Sequence, residues 1–267
     1  MDINNMLVAI DFKVNNGQII KLGFELATQL GAKLVFLHCY HPSPEDINDE
    51  IGVVEKKHLH ELIKLVDPIG NLYNKVDYGF DVIASLAVDG ILNYKEEQEV
   101  DFVIVGKKNN ESWIPIKSKS IVLAERIELP MLLVPEHFRM IDCSHVLFNL
   151  EFEFREIEKI YDLLLFCDKI GAILTCVHIS DKKNLISSKQ NMSVYDKLFE
   201  GHILQDVINF ELLEKENGRE IEYYAKDNEA DIIVLSKTRK TWSNHYLKSK
   251  EEALSEQISI PIMLLTF

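Results

Sequence analysis

No hydrophobic stretch of the chain reaches the roughly 18 residues that a membrane span needs. The opening residues, MDINN, lack the basic and apolar regions of a secretory leader, so a cytoplasmic location is expected. Basic residues are outnumbered: 29 Lys and Arg stand against 43 Asp and Glu, a formal net charge of −14. Such a surface repels nucleic-acid phosphates and anionic lipid, so neither nucleic acid nor membrane is expected as a partner. Cysteine is scarce as well. Cys39, Cys143, Cys167 and Cys176 form no CxxC pair and sit mostly in apolar segments, as reduced thiols of an intracellular protein do. Nor is there an HExxH, a GxSxG elbow, a Walker A loop or a pair of carboxylates at a diagnostic spacing. With no catalytic constellation, the chain is not expected to be an enzyme.

What the chain does have is 267 residues at 47% hydrophobic, enough to bury a real core and long enough for two domains of ordinary size. It also has a repeat. The stretch DFVIVG at 101–106 returns as DIIVLS at 231–236. In each, an acid opens a run that is apolar throughout and that is expected to break at a small residue. That pattern describes a strand of a parallel sheet covered on both faces, with a loop at its carboxyl end where ligands of open α/β sheets bind. Ile10-Asp-Phe12 matches Leu150-Glu-Phe152, Gly31 matches Gly171, and His38 matches His178, all at an offset of 140 (178 − 38). By Leu129-Pro130 and Ile260-Pro261 the offset has fallen to 131, so the second copy is about nine residues shorter, mostly between its second strand and third helix. An ordered series of matches this long identifies a tandem duplication rather than one large domain.

Within the first copy the apolar pattern predicts strands at 6–10 and 33–39, a helix from 14 to 30 stopped by Gly31, and a helix at 53–66. A third strand is expected at 72–78 and a helix at 82–97. The 101–106 strand follows, then a loop, a helix to about 127, and a last strand at 130–134. Alternation at this pace gives right-handed crossovers and a parallel sheet with helices on both faces. The expected domains are 1–135 and 145–267, joined by a linker at 136–144.

Five strands per copy, an acid after strand one, a histidine at the end of strand two, the D-to-G strand four and a closing Leu-Pro strand together resemble the universal stress protein family. The best local matches are Ala9-Ile-Asp-Phe12, Leu37-His38, 101–106 and 129–134. The resemblance implies two tandem, open, five-stranded, mostly parallel α/β sheets, Rossmann-like and of the adenine nucleotide alpha hydrolase-like kind. It also implies a role in stress-response signalling or protection through ligand or protein interaction. In nucleotide-binding members the adenine sits near the strand-one aspartate and the residue after the strand-two histidine. The phosphates are held by a loop of Gly, two residues, Gly, nine residues, Gly, then Ser or Thr.

Carried onto this chain, the first copy keeps Asp11, has Cys39 at the adenine position and keeps Gly106. Asn109 and Lys119 stand where the other glycines would be, and Ser120 holds the hydroxyl position. The motif is half present, and Lys107, Lys108, Lys117 and Lys119 offer charge with little geometric definition. In the second copy Asp11 becomes Glu151, Gly106 becomes Ser236, Asn109 becomes Arg239, and the terminal pair is Lys250-Glu251. A carboxylate there repels phosphate, and that site is expected to be vestigial. No cofactor is therefore certain. The main reading is an interaction module with degenerate ATP-binding motifs; the alternative is adenine-nucleotide binding, with ATP, by the first domain only, with or without slow hydrolysis.

Each of these residues also has a structural reading. Asp11 can bond the next loop, Gly106 can make a strand-to-loop turn and Ser120 can cap a helix. His38, His41, His58 and His60 with Cys39 suggest a metal, but His178 recurs without the other ligands, so the histidine belongs to the fold and no metal is expected. Trp113 and Trp242 are expected to pack the loop after strand four onto the body. Family members commonly dimerise through the last strand, so the resemblance implies that the two halves pair with each other through 131–134 and 262–265 as a pseudo-dimer. A further homodimer and a protein partner are left open.

Overall fold

The structure, a computed structural model, describes residues 1–12, 16–42, 51–107, 119–138, 143–153, 155–216, 219–237 and 260–266. Two compact units divide the chain, one of Asp2–Met140 and one of Ile141–Phe267 together with Met1.

The first unit is built on five strands, β1 (Asn5–Ala9), β2 (Lys33–Tyr40), β3 (Tyr78–Ala84), β4 (Phe102–Lys107) and β5 (Met131–Pro135). They lie in the order β3-β2-β1-β4-β5, and each described pairing is parallel. The apolar runs explain the centre of the sheet: Met6, Leu7 and Val8 of β1 and Phe102, Val103 and Ile104 of β4 are all at or below 1% exposure. Asp101 ties these two strands at their amino ends. Its Oδ2 accepts the backbone N–H groups of Asn4 and Asn5 at 2.8 and 2.9 Å, which is why an acid opens the strand.

The helices are α1 (Asn16–Leu30), α2 (Ile51–Gly70), α3 (Ala87–Glu97) and α4 (Lys119–Arg126). α1 packs on α2 and α3 packs on α4. Consecutive residues of β2 divide between the two layers, His38 meeting His58 of α2 and Cys39 meeting Gly90 of α3. Gly31, with φ 69, ends α1 in the left-handed conformation, and Ala32 N–H donates back to Ala27 at 3.0 Å.

The second unit repeats the plan with β6 (His145–Asn149), β7 (Ile173–Ser180), β8 (Ile208–Glu214), β9 (Ile232–Lys237) and β10 (Ile262–Thr266), ordered β10-β9-β6-β7-β8 with parallel pairings. Its described helices are α5 (Glu156–Ile170), α6 (Leu185–Phe199) and α7 (Glu220–Asp227). Asp231 does the work of Asp101 with one more donor. Its Oδ2 accepts Ser144 N–H at 2.8 Å, His145 N–H at 2.9 Å and the Ser144 hydroxyl at 3.2 Å. β7 sits 140 residues after β2 (173 − 33) and β8 sits 130 after β3 (208 − 78), so the shortening lies between the second and third strands.

Several elements differ from the sequence expectation. α2 continues through Pro68 to Gly70, and turns closed by Leu72, Tyr73 and Val76 N–H groups use up the following residues. The third strand therefore starts at Tyr78 rather than 72, and α3 starts at Ala87 rather than 82. β3 ends the unit's strand order and is half-buried. Its Asp81 accepts the Tyr94 hydroxyl at 2.6 Å, and that acid interrupts the apolar pattern by which a strand is recognised. Nor do β4 and β9 break at Gly106 and Ser236. Each runs one residue further, with Gly106 paired to Val134 and Ser236 to Leu265.

Candidate functional site

The carboxyl ends of β1, β2 and β4 bring three of the six candidate residues to one end of the first sheet. Register places Ala9 beside both Leu37 and Val105, so Asp11, Cys39 and Gly106 follow from neighbouring strands. Asp11 is exposed just past β1, and its backbone carbonyl accepts the Asn16 amide at 2.8 Å. Gly106 is half-buried and inside β4. Lys119 and Ser120 open α4, which packs on α3, but their side chains lie outside the described residues. Asn109, Trp113 and Trp242 lie outside them altogether.

Cys39 points at α3. A Cβ built on Gly90 would stand 2.6 Å from the Cys39 sulfur, so this glycine is what lets helix and strand approach so closely. Burial pushes the Cys39 thiol up to about 11, which leaves it a neutral, poorly nucleophilic group.

His38 points the other way. It is buried, and its Nδ1 lies 2.8 Å from the Ile10 carbonyl. A carbonyl only accepts, so Nδ1 carries the proton and Nε2 the lone pair. Phe12 stacks on the ring at 4.0 Å, His58 lies at 5.1 Å, and Tyr40 covers His58 at 4.4 Å. Desolvation is the main cause of the lowered His38 pKa and outweighs the bond to Ile10, so the imidazole is neutral and structural. The repeat confirms that role: His178 Nδ1 donates to the Leu150 carbonyl at the same 2.8 Å.

In the second unit the strand ends carry a different set. His178 Nε2 lies 3.2 Å from the Ser188 hydroxyl, which lies 2.8 Å from that of Ser180. A serine beside an oriented imidazole is the geometry of a nucleophile and base. Here both serines are buried, Ser188 at 5% exposure and Ser180 at 2%, so a substrate carbonyl has no route to either oxygen. The neighbouring turn holds Glu151, Glu153 and the buried Glu156, whose carboxyl oxygens accept the Glu151 and Glu153 N–H groups. Glu156 was not legible as a site residue, because an acid in the first turn of a helix reads as an ordinary dipole partner. The Ser236 hydroxyl, where the first unit has Gly106, is buried without a hydrogen-bond partner among the described residues.

Among the described residues no group of three or more His, Cys, Asp and Glu is placed to hold a metal ion. No described helix is long and apolar enough to cross a membrane.

An open parallel sheet covered by helices and built twice, each time with the acid and histidine at the ends of its first two strands, defines a Rossmann-like α/β protein. Residues 2–135 match the family model described as universal stress protein family. The chain belongs to that family. A universal stress protein from Archaeoglobus fulgidus superposes on it with a TM-score of 0.73 at 13% identity, over 100% of this chain and 99% of that one. A functionally unknown protein from Pseudomonas aeruginosa PAO1 does so with a TM-score of 0.62 at 14% identity, over 99% and 92%. At these identities the likeness speaks for the fold. No curated protein matches the chain in sequence.

Proposed function

We propose that this chain is a cytoplasmic stress-response module that works by binding, through a ligand or a protein partner, and not by turnover. The observation that carries the reading is the contrast at the strand ends. The first unit presents Asp11, the neutral thiol of Cys39 and Gly106, whereas the second presents the carboxylates of Glu151 and Glu153 on one turn. Two acids there repel a polyphosphate, so any nucleotide-like ligand belongs to the first unit alone. Neither set contains a reachable nucleophile with a base. Adenine-nucleotide binding by the first unit is the second reading, favoured by the small residues Gly90 and Gly106 flanking Cys39 and Asp11. Asn109, Lys119 and Ser120 would then face the phosphates. Pairing of the halves through β5 and β10, and assembly into a homodimer, are further parts of the proposal. They are tested by placing Asp at Leu133 or Leu264 and measuring compactness and stability, which pairing requires to fall.

Calorimetric titration with Mg-ATP, alongside Gly106→Asp, separates the two readings. Saturable binding near one per chain that disappears in the variant establishes nucleotide binding in the first unit. Absence of heat and of thermal stabilisation at millimolar ATP retains the interaction reading and removes the alternative. Steady phosphate release that survives removal of contaminating ATPases would overturn the non-catalytic part.

A further inference from the structure

At the carboxyl end of β6 the chain turns on Phe152, whose φ is 62. This is the left-handed region, in which a bulky L residue is an outlier that persists only where its surroundings hold it. Its counterpart Phe12 is not among the described residues with positive φ. Glu156, at 1% exposure, supplies the hold. Glu151 N–H donates to its Oε2 at 3.0 Å and its Oε1 at 3.1 Å, and Glu153 N–H donates to Oε2 at 2.8 Å. The amides on either side of Phe152 are thus pinned to one carboxyl group. The Phe152 ring lies 4.1 Å from His178 and 5.3 Å from Tyr195, and the Tyr195 hydroxyl donates to the Glu153 carbonyl at 3.2 Å. At the corresponding position the first unit has Asn16, which donates to the Asp11 carbonyl and does not titrate.

We propose that Glu156 and Phe152 form a proton-operated latch at the strand ends of the second unit, closed when Glu156 is protonated and released when it ionises. With a proton on Oε1, only the 3.1 Å bond is lost, because Oε2 has two lone pairs for the two amides. Without it, a buried charge shares the turn with the carboxylates of Glu151 and Glu153. The other titratable groups facing it are Tyr195 on α6 and Cys176 on β7, both held neutral by burial, so none supplies a cation. Desolvation first, then repulsion from Glu151 and Glu153, raises the Glu156 pKa to about 7 against the opposing hydrogen bonds. A carboxyl that moves to water regains its ordinary value. Closure is therefore complete below that value and is lost as pH rises through about 7, the carboxylate leaving its pocket and Phe152 returning to ordinary backbone geometry.

The experiment is a carbon-detected titration of the Glu156 carboxyl in the full chain, with hydrogen-exchange protection of the Glu151 and Glu153 amides followed over the same range. The latch requires a midpoint near 7 and protection at the two amides that falls about tenfold per pH unit between the ordinary carboxylate value and 7 and levels off above it. In Glu156→Gln, a neutral side chain of the same length, protection should stay flat. An ordinary carboxylate midpoint, protection that does not follow the titration, or an unchanged profile in Glu156→Gln each overturns the proposal. If that variant does not fold, the wild-type midpoint and amide protection decide by themselves.

Discussion

The same turn is built twice and stabilised in opposite ways. In the first unit Asn16 donates to the carbonyl of Asp11; in the second Glu156 accepts from the amides of Glu151 and Glu153. The first arrangement satisfies a carbonyl, and Phe12 is not among the described residues in the left-handed region. The second satisfies two amides, carries Phe152 into the left-handed region and buries an acid. The lesson is that duplication preserved the scaffold contacts, the strand-two histidine and the strand-four aspartate, while the strand ends, where ligands of this fold class bind, were free to diverge.

The largest expected effect breaks the symmetry by pH. The Glu156 pKa is raised in the folded chain from 4.5 to about 7, so its stabilising contribution is full below 4.5 and is lost as pH rises through 7. Relative to Glu156→Gln, the wild type should lose on the order of 3 kcal/mol across that window in urea unfolding, with no such slope traceable to Asn16. Parallel curves for the two proteins would remove the distinction between the turns. Next come the aspartates that tie the strands. Asp231→Ala releases three donors and Asp101→Ala two, so the first should cost roughly 2–3 kcal/mol and the second about 1 kcal/mol less. Equal losses would show that the extra Ser144 hydroxyl contributes nothing.

How much of this was legible follows from where each side chain lies. β1, β2, β4 and their repeats are apolar on both faces, so unbroken runs revealed them, and the matched histidines revealed the duplication. β3 ends its strand order and carries Asp81, so its pattern gave no period and its position was misplaced. Asp11, Cys39 and Gly106 were placed at one sheet end by register alone. That Cys39 faces α3 while His38 faces α2 required the backbone. Glu156 was opaque because an acid in the first turn of a helix reads as an ordinary dipole partner, and nothing in the residue type of Phe152 announces the left-handed conformation that the acid holds.

Two smaller substitutions sharpen the comparison. Gly90→Ala places a Cβ 2.6 Å from the Cys39 sulfur and should cost roughly 1–2 kcal/mol, with much of the loss recovered by adding Cys39→Ala. No recovery would mean that α3 is displaced by contacts other than Cys39. The histidines provide the finest test. His38→Phe keeps a ring against Phe12 and His58 but leaves the Ile10 carbonyl without its donor. His178→Phe leaves the Leu150 carbonyl in the same state and also takes the imidazole from the buried Ser188 hydroxyl, which keeps Ser180 at 2.8 Å. A hydrogen bond is worth about 1 kcal/mol net, so His178→Phe should be the worse of the two by up to that amount. Equal losses would show that Ser180 alone satisfies Ser188 and that the two histidines are equivalent.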